Sequence, residues 1–331
     1  MLERVPDYYD RFRCLAGACP HSCCEKWEVV VDGDTARRYL SVPGELGEKL
    51  RAELRCDADG DFCFALNGGR CPFLDEENLC EIHRALGQEA TGVTCREHPR
   101  FTEDYGAFRE LTLSASCPAA NDLLLGSTEP LRFLTRKTDE PDEEADEWLA
   151  YLLPLRERML TLLADRTQPL EGRLASLLTY AAAAQEVLDD ERMEELAHLP
   201  VPAAEGGVVL PDAAWDALAA LEVLESDWHD LLEQGRTAPP VGEEALLERI
   251  AVYFAFRYLL KCVNDGDLLS RAQFVVLSVA VAARLAGVCG LGEALRRLSC
   301  EIEHSDENVE RLLEQFRQEP ALWPEAFLER A

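Results

Sequence analysis

The chain has 331 residues, with 63 acidic against 33 basic side chains and a formal net charge of -30. That balance excludes general binding to a phosphate backbone or to an anionic membrane surface, both of which need clustered Lys and Arg. An apolar share of 47% is enough for a sizeable core and excludes wholesale disorder.

The opening residues, Met1 to Asp7, hold no apolar run of the secretory kind. The expectation is a cytoplasmic protein, where structural disulfides are rare. The 13 cysteines then point to metal, to redox chemistry or to buried thiols. Ten of them lie between Cys14 and Cys117, and only Cys262, Cys289 and Cys300 lie beyond. That asymmetry predicts a cysteine-rich domain over 1–126, an acidic linker over 127–147 and a helical domain over 148–331. The linker includes 138–147, where seven of ten residues are acidic. The fold class expected is mainly α: a metal-binding N-terminal domain with a few short strands, then an all-α domain.

Within the first domain, Trp27 to Val31 reads as a strand ending at Asp32-Gly33. Helical pieces are expected over Thr35–Leu40, Gly44–Arg55, Glu81–Leu86 and Ala119–Leu125. Phe101 to Ser116 reads as a hairpin around Asp104-Tyr105-Gly106. Beyond the linker, Trp148–Leu163 and the Leu174–Ala182 stretch carry helical spacing, as does the stripe Trp215, Leu218, Leu221, Leu224, Trp228. Leu246–Val263 is strongly apolar. Asp306–Phe316 is amphipathic. Breaks are expected at Pro154, Pro169, Pro239-Pro240 and Gly290. Phe274 to Ala283 is the most apolar stretch and is shorter than the ~20 residues that span a bilayer, so it reads as a buried helix.

The chemistry sits in the cysteines. One cluster is Cys14-x4-Cys19-x3-Cys23-Cys24, and a second is Cys71-x8-Cys80, followed by Cys95 and Cys117. Thiolates are soft ligands suited to iron–sulfur clusters and zinc. The spacings match neither a zinc finger nor a ferredoxin run. Cys80-x2-His83 and Cys95-x2-His98 keep a mixed Cys/His zinc site open. Cys262, Cys289 and Cys300 fall on helical patterns and read as core residues.

These motifs resemble those of flagellin lysine-N-methylases. The likeness rests on Tyr8/Tyr9 and Phe12 ahead of Cys14, Cys19, Cys23, Cys24 and Trp27. It continues through Cys71-Pro72-Phe73-Leu74-Asp75 with Leu79-Cys80-Glu81-Ile82-His83, then Cys95-Arg96-Glu97-His98-Pro99. It ends with Glu110-Leu111-Thr112-Leu113-Ser114 and Cys117-Pro118. Part of this signature is shared with a broader group of cysteine-rich zinc- or iron-chelating proteins. His98 stands where the family more often has tyrosine.

The resemblance implies methyl transfer from S-adenosylmethionine to lysine amines of flagellin, dependent on a 4Fe–4S cluster. The matching cysteines are Cys14, Cys19, Cys23, Cys24, Cys71, Cys80, Cys95 and Cys117, more than one cluster needs. Such a reaction needs a neutral amine. Tyr8, Asp32 and Glu110 flank the motifs and are the candidates for that task. Trp27 is the candidate for a cation–π contact with the sulfonium. The competing reading is a non-catalytic zinc- or iron-binding protein, chelating or electron-transferring. No nucleic acid or membrane is expected as a partner.

Overall fold

Strand Leu2–Pro6 sits inside a sheet whose other strands come from far along the chain. It pairs in parallel with Phe108–Leu113, Arg4 opposite Glu110, and antiparallel with Phe133–Lys137, Pro6 opposite Phe133. Arg100–Asp104 completes the four strands at the edge beside Phe108–Leu113. Gly106, with φ +74°, makes the expected hairpin turn. The computed structural model describes residues 1–25, 29–56, 60–141, 144–203 and 206–329. Trp27 therefore lies outside the described residues, as do Asp142 and Glu143 of the acidic run.

The chain forms two units, and their limits do not follow chain order. One comprises Met1–Arg11, Thr102–Ser116 and Asn121–Ala331; the other comprises Phe12–Phe101 and Cys117–Ala120. The reason is the sheet. Its ladders draw the first residues and the 133–137 strand into the unit that also holds the C-terminal helices.

That larger unit is mainly helical. Its centre is Leu269–Cys289, packed by Glu244–Tyr258, Trp228–Thr237, Leu170–Asp189 and Leu291–Leu298. Among the described residues, only this helix is long and apolar enough to cross a membrane, and two-thirds of its apolar window is buried inside the protein. A helix apolar on all sides is what a core position requires. Gly290, at φ +84°, turns it into the next helix, as expected.

Two expectations change. Helix Leu149–Leu163 runs through Pro154 instead of breaking there. Leu152, Leu155, Met159 and Leu163 are fully buried along it, and their burial outweighs the roughly 3 kcal/mol that an interior proline costs. The stripe from Trp215 to Trp228 is two helices, Asp212–Ala219 and Trp228–Thr237. Its break is fixed by Glu301, whose carboxylate accepts from the N–H groups of Leu224 at 2.8 Å and Glu225 at 2.6 Å.

The smaller unit has a three-stranded antiparallel sheet in the order Val29–Val31, Phe62–Phe64, Leu54–Cys56. Helices Gly33–Ser41 and Gly44–Glu53 lie between its first and last sequence segments, with the short helices Glu81–Leu86 and Val93–Glu97 further on. Its core is Val29, Val31, Tyr39, Leu50, Phe64, Phe73 and Ile82. Phe64 anchors it, 5.7 Å from the Tyr39 ring and 4.7 Å from Phe73.

Candidate metal centre

All eight motif cysteines belong to the smaller unit. Cys71 and Cys80 stand at the two ends of a loop that closes on itself. Asp75 accepts from the N–H groups of Glu77 and Leu79, both at 2.9 Å. Glu81 N–H donates to Phe73 O at 2.8 Å, and Leu74 bridges Cys80. The Cys80 sulfur accepts from His83 N–H at 3.5 Å, and its side chain packs on the Phe64–Phe73 core together with Cys24. Cys71 N–H donates to Cys24 O at 2.7 Å, which joins the two cysteine motifs through the backbone.

Cys95 arrives on helix Val93–Glu97, and Asp32 is what holds that helix. One carboxylate oxygen accepts from Thr35 N–H at 2.9 Å and the other from Val93 N–H at 3.0 Å. Asp32 thus caps the helix that follows its strand and tethers the helix that carries Cys95. Against a desolvation cost, these backbone donors bring its carboxyl down to about 2.

The thiols fall into two neighbourhoods. Cys95 lies within electrostatic reach of Cys24, Cys80 and Cys71; Cys71 reaches Cys24 and Cys80; Cys80 reaches Cys24. Every pairing within that inner set is made. Cys14 has Cys19, Cys23 and Cys117 as neighbours, and Cys117 also feels Cys19. The sets meet at the vicinal pair, where the Cys23 and Cys24 thiols share a hydrogen bond. That bond favours the Cys24 thiolate, at about 7, and drives Cys23 upward. Burial pushes Cys71 and Cys95 up to about 12 and raises Cys80, Cys19 and Cys117. Apolar burial without a counter-cation keeps thiols protonated; a bound metal ion reverses this.

Among the described residues, no three His, Cys, Asp or Glu side chains form a ready-made group for one metal ion. A single zinc ion draws all its thiolates to about 2.3 Å of one point. A 4Fe–4S cluster gives each of four thiolates its own iron and so takes a wider set. Cys24, Cys71 and Cys80 on one apolar patch, with Cys95 within electrostatic reach of all three, fit that chemistry.

Two other candidates lie in the helical unit. Tyr8 is fully buried, its hydroxyl has no hydrogen-bond partner among the described residues, and burial raises its phenol. Glu110 is held bidentately by Arg156, at 2.5 and 3.0 Å, and by Arg4 at 3.1 Å. Both Glu110 and Arg156 are buried. A base role would first have to open this pair. Of the cysteines in the helical unit, Cys262 and Cys300 are buried and Cys289 is partly exposed.

One polar cluster gave no signal in the sequence. Glu303, buried, receives the hydroxyls of Tyr253 at 3.0 Å, Tyr258 at 3.1 Å and Ser299 at 2.5 Å, and Arg257 lies 2.9 Å away. Beside it, His304 Nε2 is 2.6 Å from Ser116 Oγ and 3.1 Å from Ser114 Oγ. Burial, aided by Arg257, lowers the imidazole to about 4. Ser299–Glu303 is a π-helical turn, a form often kept at functional positions. These residues come from three separate segments, 114–116, 253–258 and 299–304, and no one of them points to the other two.

The chain is 24% identical over 204 residues to a protein named lysine-N-methylase from Salmonella typhimurium, covering 58% of this chain and 50% of that one. The same figures hold for a lysine-N-methylase of Salmonella choleraesuis. The chain is a distant relative of lysine-N-methylases. It is also 26% identical over 139 residues to the flagellar biosynthetic protein FliU of Salmonella muenchen, covering 40% of this chain and 82% of that one. The chain spans about half the length of the two methylases it matches. No family model matches it, and no solved structure does.

Proposed function

We propose that this chain transfers methyl groups from S-adenosylmethionine to lysine side chains of flagellin, in the cytoplasm, and that Cys24, Cys71, Cys80 and Cys95 hold a 4Fe–4S cluster. The observation that carries the reading is the gathering of Cys24, Cys71 and Cys80 on one apolar core, with Cys95 within electrostatic reach of all three, in a distant relative of lysine-N-methylases. The FliU likeness supports the flagellar side.

Held by all four thiolates, such a cluster would have no open iron, and what it would supply is the order of the loops that carry Cys24, Cys71, Cys80 and Cys95. The chain's own contribution is to position and to shield. Asp32 ties Cys95 to the sheet, and Asp75 sets the distance between Cys71 and Cys80. Phe73, fully buried, keeps water from the inner side of the thiols. Lysine amines are protonated near neutral pH and attack only once neutral, so the site must shed a proton before transfer. The net charge of -30 favours encounter with a cationic lysine-bearing surface, and methylation is expected to slow as salt rises.

The test is an anaerobic reaction of the iron-loaded protein with S-adenosylmethionine and flagellin, read by intact mass. Gains in units of a methyl group support the reading. An intact cluster with unmodified flagellin would leave a non-catalytic iron-binding protein.

A further inference from the structure

The inner four thiols leave four motif cysteines unused. Cys14 and Cys19 lie on one loop that is pressed on the loop of Cys80. A Cβ added at Gly17 would stand 2.7 Å from Glu77 O and 3.5 Å from a Leu79 methyl, so only glycine fits between them. Ala16 takes φ +48° to make the turn, and its N–H donates to Cys14 Sγ at 3.3 Å. Cys19 Sγ donates to His21 O at 3.0 Å. The fourth member comes from a distance. Residues on both sides of Cys117–Ala120 belong to the helical unit, yet these four residues belong with Phe12–Phe101. A short excursion of the chain thus delivers Cys117 to the unit of Cys14 and Cys19, and both are its neighbours. Cys23 adjoins the set through Cys14, and it is also bonded to Cys24 and within reach of Cys95.

We propose that Cys14, Cys19, Cys23 and Cys117 form a second thiolate site for a soft metal centre, separate from that of Cys24, Cys71, Cys80 and Cys95. This rests on the reading that the inner four hold a cluster. The vicinal pair is where the two sites meet: the Cys23 and Cys24 thiols are bonded to each other, Cys24 lies within reach of Cys71, Cys80 and Cys95, and Cys23 lies within reach of Cys14. Cys14 is exposed and Cys19 partly exposed, whereas Cys71 is buried, which makes the second site the more accessible one.

Metal and acid-labile sulfide per chain decide the matter, measured after anaerobic reconstitution with ferrous iron and sulfide, and in parallel with zinc alone. The full-length chain is compared with two double variants, Cys14→Ser/Cys117→Ser and Cys71→Ser/Cys95→Ser. The expected result is that each variant keeps about half the metal of the wild type, roughly four irons against eight where both sites take cubanes. Four irons plus one zinc in the wild type, with only the zinc lost from Cys14→Ser/Cys117→Ser, also supports two sites and assigns the outer one to zinc. A wild type holding no more than Cys14→Ser/Cys117→Ser overturns the proposal, and so does loss of all metal from that variant while its circular dichroism stays native. If the variant unfolds, Cys23→Ser is read by the same criteria. Two zinc ions and no iron in the wild type would keep the two sites and sink the cluster reading instead.

Discussion

The two units bury their polar groups by opposite means. In the helical unit, Glu110, Glu248 and Glu303 are buried carboxylates, each matched by arginine. The surrounding core of Leu, Ala, Val and aromatic side chains is continuous. The cysteine unit has a far smaller core around Phe64 and Phe73, and its loops are closed by Asp32, Asp75 and backbone turns. Its distinctive polar groups are thiols, of which Cys71 is buried and Cys24, Cys80 and Cys117 are partly so. A unit with so small a core is expected to draw further order from local capping and from any metal its sulfurs bind.

Metal removal breaks the contrast most strongly. Chelation under reducing conditions is expected to abolish hydrogen-exchange protection across Phe12–Phe101 and to leave Leu269–Cys289 protected. Equal protection with and without metal would show that the cysteine unit stands on its apolar core alone.

Next comes the opposite weakness. Arg156→Ala leaves Glu110 buried beside Arg4 alone, and removal of one partner of such a pair costs about 3–5 kcal/mol. Urea unfolding followed by tryptophan emission reads the helical unit, since four of the five tryptophans, Trp148, Trp215, Trp228 and Trp323, lie there. A loss under 1 kcal/mol would mean that the pair is solvated in solution.

How much of this was legible in the sequence follows from range. The cysteine motifs, the helix that follows Asp32-Gly33 and the hairpin at Gly106 are local, and short spacing suffices to see them; that Asp32 caps this helix is shown by the structure. The pairing of Leu2–Pro6 with strands more than a hundred residues away is not local, and no alternation in five residues names its partner. The same holds for Glu110, whose partners Arg4 and Arg156 lie 106 and 46 residues away along the chain. The sorting of eight thiols into two neighbourhoods is likewise a property of the folded loops. The Trp215–Trp228 stripe misleads because period alone cannot reveal that Glu301 holds the backbone open at Leu224 and Glu225.

His304 sharpens the comparison by pH. Its imidazole titrates near 4 in the native state against about 6.5 unfolded, so between those values the unfolded chain binds the extra proton. Its contribution to stability is complete above pH 6.5 and is lost as pH falls towards 4, by on the order of 3 kcal/mol. The variant His304→Gln removes this slope. Because Glu301 is raised to about 7 and acts in the reverse sense, the difference between variant and wild type isolates the histidine. Parallel pH profiles would show that His304 is solvated.

The smallest effect belongs to Asp32, which tests whether the cysteine unit depends on its caps. Asp32→Ala removes acceptors for both Thr35 N–H and Val93 N–H, and each lost cap costs about 1 kcal/mol. The wild-type carboxyl is depressed to about 2, so its contribution is present above the unfolded value near 3.9 and disappears as pH falls through 2. Wild type and Asp32→Ala should therefore differ at pH 7 and converge near pH 2. Asp32→Asn keeps one acceptor oxygen and should fall between them at pH 7. The metal adds a second readout. If Asp32 matters by holding Cys95 in place, Asp32→Ala weakens metal binding while leaving the number of metals at saturation unchanged. Lower stoichiometry would place Asp32 among the ligands, and unchanged affinity would reduce it to a cap of the helix that follows its strand.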